Sequence, residues 1–151
     1  MMIDETKLSQ QPDTRDNRWI LIFICWLIAM LSTLGSLFFS EVMALVPCEL
    51  CWYQRIFMFP LAVILLVGLH PLDTRVVRYA LPLVIIGLLF SVYHCLLFYG
   101  LIPEDLKPCR QGISCIDDNM MLLGFLPIPL LSLASFVIIL LLLLRTRGLF
   151  R

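Results

Sequence analysis

Cysteines in this sequence form two closely spaced pairs, and an arginine lies close to each pair. Cys48 and Cys51 stand two residues apart in "PCELCWYQR", with Arg55 four positions later. Cys109 and Cys115 are separated by five residues in "PCRQGISC". Thiols at such spacings can close a disulfide, hold a metal ion or exchange disulfides with another protein. Which chemistry applies depends on where the chain places the two pairs.

Arg55 is the first charged residue after the C-x-x-C motif, and an apolar run follows it. If a helix begins near Cys48, Cys51 and Arg55 share one face at i and i+4. A cation and a helix N-terminus both favour a thiolate, the form of cysteine that reacts. Arginine inside a membrane span is costly and indicates function by default, the alternative being a side chain that snorkels to lipid headgroups.

The composition indicates that lipid surrounds most of this chain. It has 151 residues, of which 61% are hydrophobic and 15% are charged, and a soluble domain of this size could not bury so much apolar surface. Four apolar runs are long enough to cross a bilayer, at about 19–39, 52–69, 79–102 and 120–144. The first is too long for a signal-peptide core and lacks a cleavage pattern. The sequence therefore predicts a single integral membrane domain, residues 1–151, folded as an antiparallel four-helix transmembrane bundle with short extracytoplasmic loops.

Basic residues are distributed unequally between the two sides of this predicted bundle. Eight of the eleven Lys and Arg residues fall on one side: Lys7, Arg15, Arg18, Arg75, Arg78, Arg145, Arg147 and Arg151. Lys and Arg are retained on the cytoplasmic side of membranes. Both termini should therefore be cytoplasmic, and the loops that carry the two cysteine pairs should face outward.

Outward-facing cysteines lie where disulfides form and persist. Three interpretations of the four loop cysteines remain open: structural disulfides, a zinc site with four thiolates, or electron transfer by thiol–disulfide exchange. The remaining cysteines, Cys25 and Cys95, fall within the first and third spans. The predicted topology thus places both cysteine pairs on the outer side and two isolated thiols inside the membrane.

His94 lies eight residues before the end of the third run, which places it about 12 Å below the outer end of that helix. Arg55 stands a few residues inside the second run, so the two side chains could reach one level of the outer leaflet. A polar pair surrounded by aromatic residues would suit a flat ligand with carbonyl groups, such as a quinone; the aromatic residues are Trp52, Tyr53, Phe57 and Tyr93. The alternative for His94 is a histidine that is hydrogen-bonded within the bundle.

Together these features resemble the DsbB family of membrane thiol:quinone oxidoreductases. The resemblance rests on "PCELCWYQR", on "KPC" with a second cysteine six positions on, and on the four spans, and it covers residues 19–144. The short second loop and "GSLFFSE" ahead of the motif are most similar to its Gram-positive, BdbC-like branch. Gln54 stands where some relatives have an acid, and the second cysteine pair is closer than in Gram-negative members.

The resemblance implies an enzyme of the bacterial cell membrane that generates disulfides for exported proteins. An extracytoplasmic thioredoxin-like thiol oxidase, similar to DsbA or BdbD, would deliver electrons to the Cys109–Cys115 pair. They would pass to the Cys48–Cys51 pair, and then from Cys51 to a membrane quinone, menaquinone or ubiquinone. Arg55 and His94 would bind that quinone, and no metal is expected.

Overall fold

Four helices form the architecture of the computed structural model, which describes residues 11–44, 47–70, 73, 75–102, 121–122 and 126–148. Helix α1 spans Gln11–Glu41, α2 Glu49–Leu69, α3 Val76–Phe98 and α4 Ile128–Gly148. Two short strands, β1 (Met121–Leu122) and β2 (Leu126–Pro127), precede α4. They pair antiparallel, with Met121 opposite Pro127 and Leu122 opposite Leu126.

The helices close into a ring in which α1 packs on α2, α2 on α3, α3 on α4, and α4 on α1. All four are long and apolar enough to cross a membrane. Their outward faces expose large apolar side chains, such as Leu31, Val67 and Leu89, each more than 60% exposed. Lipid solvates such a surface, whereas water would not. The predicted all-helical membrane bundle is therefore confirmed.

The helices follow the predicted runs, but α1 begins earlier than its run, at Gln11 rather than about residue 19, and α4 begins later than its run. We expected a span from about residue 120, but α4 begins at Ile128, after the β1–β2 pair. Pro127 and Pro129 flank this start. Proline has no backbone N–H to donate and is best accommodated in the first turn of a helix. The apolar run extends across these prolines, but helix α4 starts only at Ile128.

Two glycines allow neighbouring helices to approach closely. A Cβ atom added at Gly87 of α3 would lie 2.3 Å from Cε1 of Phe136 on α4, a ring that is completely buried. At Gly68 of α2, an added Cβ would lie 2.6 Å from the side chain of Val76. Small residues at helix contacts are typical of membrane bundles, where close packing replaces the hydrophobic effect as the associating force.

Hydroxyl pairs join α4 to both of its neighbours. Ser32 on α1 donates a hydrogen bond to Ser135 on α4, with 3.1 Å between the oxygens. Ser91 on α3 and Ser132 on α4 lie 3.2 Å apart. Interhelical hydrogen bonds of this kind contribute about 0.6 kcal/mol on average in a membrane protein. They set the register of α4 against α1 and α3 as well as adding stability.

We expect Gly87→Ala to destabilise the bundle, because the new methyl group would overlap the buried ring of Phe136. Overpacking of this kind costs about 1–3 kcal/mol. The midpoint of thermal unfolding in detergent should fall, and Gly87→Ala/Phe136→Leu should recover part of the loss. Gly35→Ala is the matched control, since a Cβ at Gly35 meets nothing within 4 Å. Equal midpoints for the Gly87→Ala and Gly35→Ala proteins would contradict the close contact.

Candidate active site

Cys48 caps the N-terminus of α2. Its backbone is extended, with φ −69° and ψ 165°, and its Sγ accepts a hydrogen bond from the backbone N–H of Cys51 at 3.4 Å. The first amides of a helix lack partners within the helix, and their partial positive charge favours an anion at the cap. The C-x-x-C spacing thus places the first sulfur at the helix end and the second on its first turn.

The two sulfurs of this motif are in direct contact. The Sγ atoms of Cys48 and Cys51 lie 3.1 Å apart, and both thiols are free. Cys48 is 1% exposed and packs with Leu50 and Leu97, whereas Cys51 is partly exposed. A small movement can therefore join the pair as a disulfide, and Cys51 is the more accessible sulfur.

His94 contacts the buried sulfur. Its Nε2 lies 3.7 Å from Sγ of Cys48, and the ring is completely buried between α2 and α3. On the other side of the ring, Nδ1 lies 3.2 Å from Nε2 of Gln54. His94 thus belongs to the sulfur site itself, through contacts that its position in the sequence did not specify.

Gln54 can pair with either neutral tautomer of His94, depending on which end of its amide faces the ring. With the amide nitrogen towards Nδ1, Nδ1 accepts, because an amide nitrogen only donates, and this pairing suits the tautomer with its proton on Nε2. That N–H is directed at Cys48, where it can donate to a thiolate. Gln54 is 7% exposed, and its side chain forms this contact at the α2–α3 interface.

These contacts make Cys48 the more acidic partner. Donation from the Cys51 thiol is the largest influence and holds the pKa of Cys48 well below the ordinary thiol value. Burial raises the pKa of Cys48, but hydrogen bonds from His94 and from the backbone N–H of Cys51 lower it further. The thiolate of the reduced pair is therefore centred on Cys48 rather than on the sulfur nearer Arg55.

Arg55 is directed at α1 rather than at His94. Its Nη2 donates to the carbonyl oxygen of Ser36 at 2.8 Å, and its Nη1 donates to Oγ of Ser40 at 3.2 Å. The guanidinium also lies 5.6 Å from the ring centroid of Trp52. A cation here stabilises the carbonyl end of α1, whose last turn has no basic residue of its own. Arg55 and His94 thus make their contacts with different helices on either side of α2.

Aromatic residues that we expected around one ligand divide in the same way. Tyr53 and Phe57 stack on Phe90 of α3, with ring centroids 5.2 and 5.6 Å apart. Trp52 accompanies Arg55, and Tyr93 packs against the cluster that contains Cys48. The α3 side of α2 is consequently filled by stacked rings, whereas the α1 side carries the cation.

A row of polar groups on α1 was missed by the sequence reasoning. Among the described residues, buried Oγ1 of Thr33, Oγ of Ser36 and Nε1 of Trp26 have no hydrogen-bond partner. Their spacing of seven and three residues, continued by Ser40 four positions later, places them along one helical face. That periodicity is visible in the sequence. Apolar residues stand between these polar groups, however, and by themselves they suggest only a helix that faces lipid.

Cys109 and Cys115, the second predicted pair, lie outside the described residues.

The other two cysteines are set apart from the C-x-x-C motif. Cys25 packs in the bundle core with Sγ 4.0 Å from the carbonyl oxygen of Ile139, and Cys95 is buried on α3. Both are free thiols.

The family model for the disulfide bond formation protein DsbB matches residues 17–146. This range contains the sulfur site, the membrane segments of α2 and α3, and nearly all of those of α1 and α4. The chain belongs to the DsbB family. It is therefore a multi-pass cell membrane protein and an oxidoreductase of disulfide bond formation.

Curated relatives agree with this membership over most of their length. A probable disulfide formation protein of Metapseudomonas resinovorans is 47% identical, over 90% of this chain and 95% of its own. Disulfide bond formation protein C of Bacillus subtilis is 40% identical, over 87% and 96%. Probable disulfide formation protein C 2 of Bacillus cereus is 48% identical, over 80% and 86%. No solved structure matches the chain. These similarities confirm the resemblance to the DsbB family that the sequence suggested.

We expect His94→Phe to raise the pKa of Cys48, because phenylalanine fills the buried space without donating a hydrogen bond. Titrating thiolate absorbance of the reduced protein tests this. In the parent protein, thiolate should persist as the pH falls below the ordinary thiol range and disappear as it passes through the lowered pKa.

Cys95→Ser, at the neighbouring position of α3, is the control and should leave this low-pH transition in place. Cys51→Ala should shift the transition upward further than His94→Phe, because the Cys51 thiol is the larger influence. An unchanged transition in the His94→Phe protein would mean that the imidazole does not stabilise the thiolate.

Proposed function

We propose that this DsbB family member is a thiol:quinone oxidoreductase that reoxidises a thioredoxin-like partner outside the cytoplasm. The observation that carries the proposal is a contacting thiol pair at the membrane edge with a guanidinium one turn further along α2. Such a site could pass electrons from thiols that a protein partner can reach to a carrier that is dissolved in the lipid.

Groups around Arg55 fit a quinone. The hydroxyls of Thr33 and Ser36 have no acceptor among the described residues. The carbonyl oxygen of Ser36 also accepts a hydrogen bond from Arg55. A buried donor without a partner is costly, so an acceptor that reaches it from the bilayer would be bound favourably. Quinone carbonyl oxygens are acceptors of this kind. Arg55, Ser36 and Thr33 would hold the head group, which when bound would take up two electrons and two protons.

In this proposal the two sulfurs of the C-x-x-C motif have different roles. Cys48, the more acidic thiol, would supply the electron pair that forms the S–S bond to Cys51, whose sulfur lies 3.1 Å away. The electrons would leave through Cys51, which is the more exposed sulfur and is one helical turn from Arg55. His94 would hold Cys48 as a thiolate until the bond forms, and Gln54 would keep the imidazole in the required tautomer.

Cys109 and Cys115 would connect this site to the protein partner. In the proposed relay, a reduced thioredoxin-like oxidase gives its two electrons to the Cys109–Cys115 disulfide. The resulting dithiol then reduces the Cys48–Cys51 disulfide, so each exchange breaks one S–S bond and forms another. We further propose that both termini face the cytoplasm, which places every one of these sulfurs on the oxidising side.

We expect Cys48→Ala, Cys51→Ala, Cys109→Ala and Cys115→Ala each to abolish oxidation of a reduced thioredoxin-like protein by quinone. Cys25→Ala and Cys95→Ala should retain turnover, because these thiols lie in the bundle away from the motif. Quinone absorbance, followed with purified protein and normalised to folded protein, measures the rates. Full activity of the Cys109→Ala protein would exclude the relay.

We expect Arg55→Lys to raise the apparent KM for quinone about tenfold or more, because lysine keeps the charge but loses the planar guanidinium with its two directed donors. Losing one charge-assisted hydrogen bond costs about 1.5–3 kcal/mol, and 1.4 kcal/mol is a factor of ten. Arg55→Met should also lower kcat, while exchange between the partner and Cys109–Cys115 continues.

Ser40→Ala provides the matched control, since it removes one acceptor of Arg55 without removing the cation. Its quinone dependence should stay close to that of the parent protein. If Arg55→Met left the KM for quinone unchanged, Arg55 would serve only to join α2 to α1.

A further inference from the structure

We infer that the reduced protein binds a thiophilic d10 cation, Zn²⁺ or its analogue Cd²⁺, through Cys48, Cys51 and His94. Among the described residues these three form a cluster whose ligand atoms all lie within 4.8 Å of one another. The site differs from a zinc centre made of four loop thiolates, because a bundle histidine supplies its third ligand.

Two of the three distances between ligand atoms are close to those that zinc requires. Zinc–sulfur bonds of about 2.3 Å and zinc–nitrogen bonds of about 2.0–2.1 Å in a tetrahedron set ligand separations of about 3.8 Å for S–S and about 3.5 Å for S–N. Cys48 Sγ and His94 Nε2 are 3.7 Å apart, and the two sulfurs are 3.1 Å apart. The sulfurs must therefore separate by about 0.7 Å to meet the tetrahedral value. Cys51, on the first turn of α2 and partly exposed, is the side chain free to make this movement.

Gln54 can support the metal-bound state as well as the thiolate. A cation on Nε2 requires the ring proton to move to Nδ1, and an amide turned by half a rotation presents its oxygen to that N–H. The Gln54 amide already lies 3.2 Å from Nδ1. A hydrogen bond to the outer nitrogen orients a metal-bound imidazole and raises its basicity, and losing it typically costs 10–100-fold in metal affinity.

Binding would block the sulfur chemistry of the site. Each Zn²⁺ takes up two thiolates, and any proton still on Cys48 or Cys51 is released to solvent, so no electron is transferred. A thiolate that ligates the cation is not available to form the S–S bond. If the proposed function holds, the cation is a reversible inhibitor that selects the reduced enzyme; cation binding itself does not depend on that function.

The test uses the full-length protein with Cys109→Ser and Cys115→Ser, reduced by a phosphine that is then removed. Titration with Cd²⁺ alone, followed by ligand-to-metal absorbance in the ultraviolet, should show one ion per chain, and Zn²⁺ should displace it. In the same background, His94→Phe and Gln54→Leu should each raise the Kd at least tenfold. Cys95→Ser should leave the Kd unchanged, and the oxidised protein should not bind.

A Kd that is the same in the His94→Phe protein, or the absence of binding to the reduced protein, would overturn the inference. Turnover of the parent enzyme supplies the second measurement: Zn²⁺ should slow quinone reduction, and a chelator should restore it. If Zn²⁺ bound to an active enzyme without slowing it, the inference that the cation blocks the sulfur chemistry would be wrong. Binding to a protein that never reduces quinone would instead reject the proposed function and leave the cation site intact.

Discussion

The absence of water in the bilayer core is the constraint on which the rest of this structure depends. Polar side chains there must find partners on neighbouring helices or remain unsatisfied. In the N-terminal part of α2 this brings Gln54 to His94 and Arg55 to the end of α1. The contacts that satisfy these polar groups also fix the first turn of α2, which carries the sulfurs. Stability and chemistry therefore use the same hydrogen bonds.

Helix α2 separates two environments that differ in character. Its α3 side is closed, with Cys48 and His94 buried above rings stacked on Phe90. Its α1 side has a cation and hydroxyls, such as that of Ser36, that lack an acceptor within the part of the chain that the structure describes. Cys51 lies between them as the partly exposed sulfur. The buried sulfur of Cys48 and the site proposed for a quinone are thus neighbours on a single helix.

The remaining bundle acts as a scaffold for this arrangement. Gly87 allows Phe136 to reach the bundle centre, and serine pairs fix α4 against α1 and α3. Because α4 contacts both flanking helices, it holds the ring closed opposite α2. The packing of Phe136 against Gly87 is steric, whereas the contacts at the sulfur site are electrostatic.

The sequence by itself determined the membrane bundle, the C-x-x-C motif and the family, because apolar run length and residue spacing are local properties of the chain. It also identified Arg55 and His94, since a charge or an imidazole within an apolar run is conspicuous. Only the tertiary structure decided that His94 contacts Cys48 and Gln54 while Arg55 contacts α1. These pairings depend on how each helix is rotated about its own axis. In a membrane helix most faces are apolar, so the sequence pattern does not show which face points inward, and packing between the helices sets the rotation. The start of α4 at Ile128 was missed for a related reason: hydropathy measures affinity for lipid, whereas the prolines around it control the backbone.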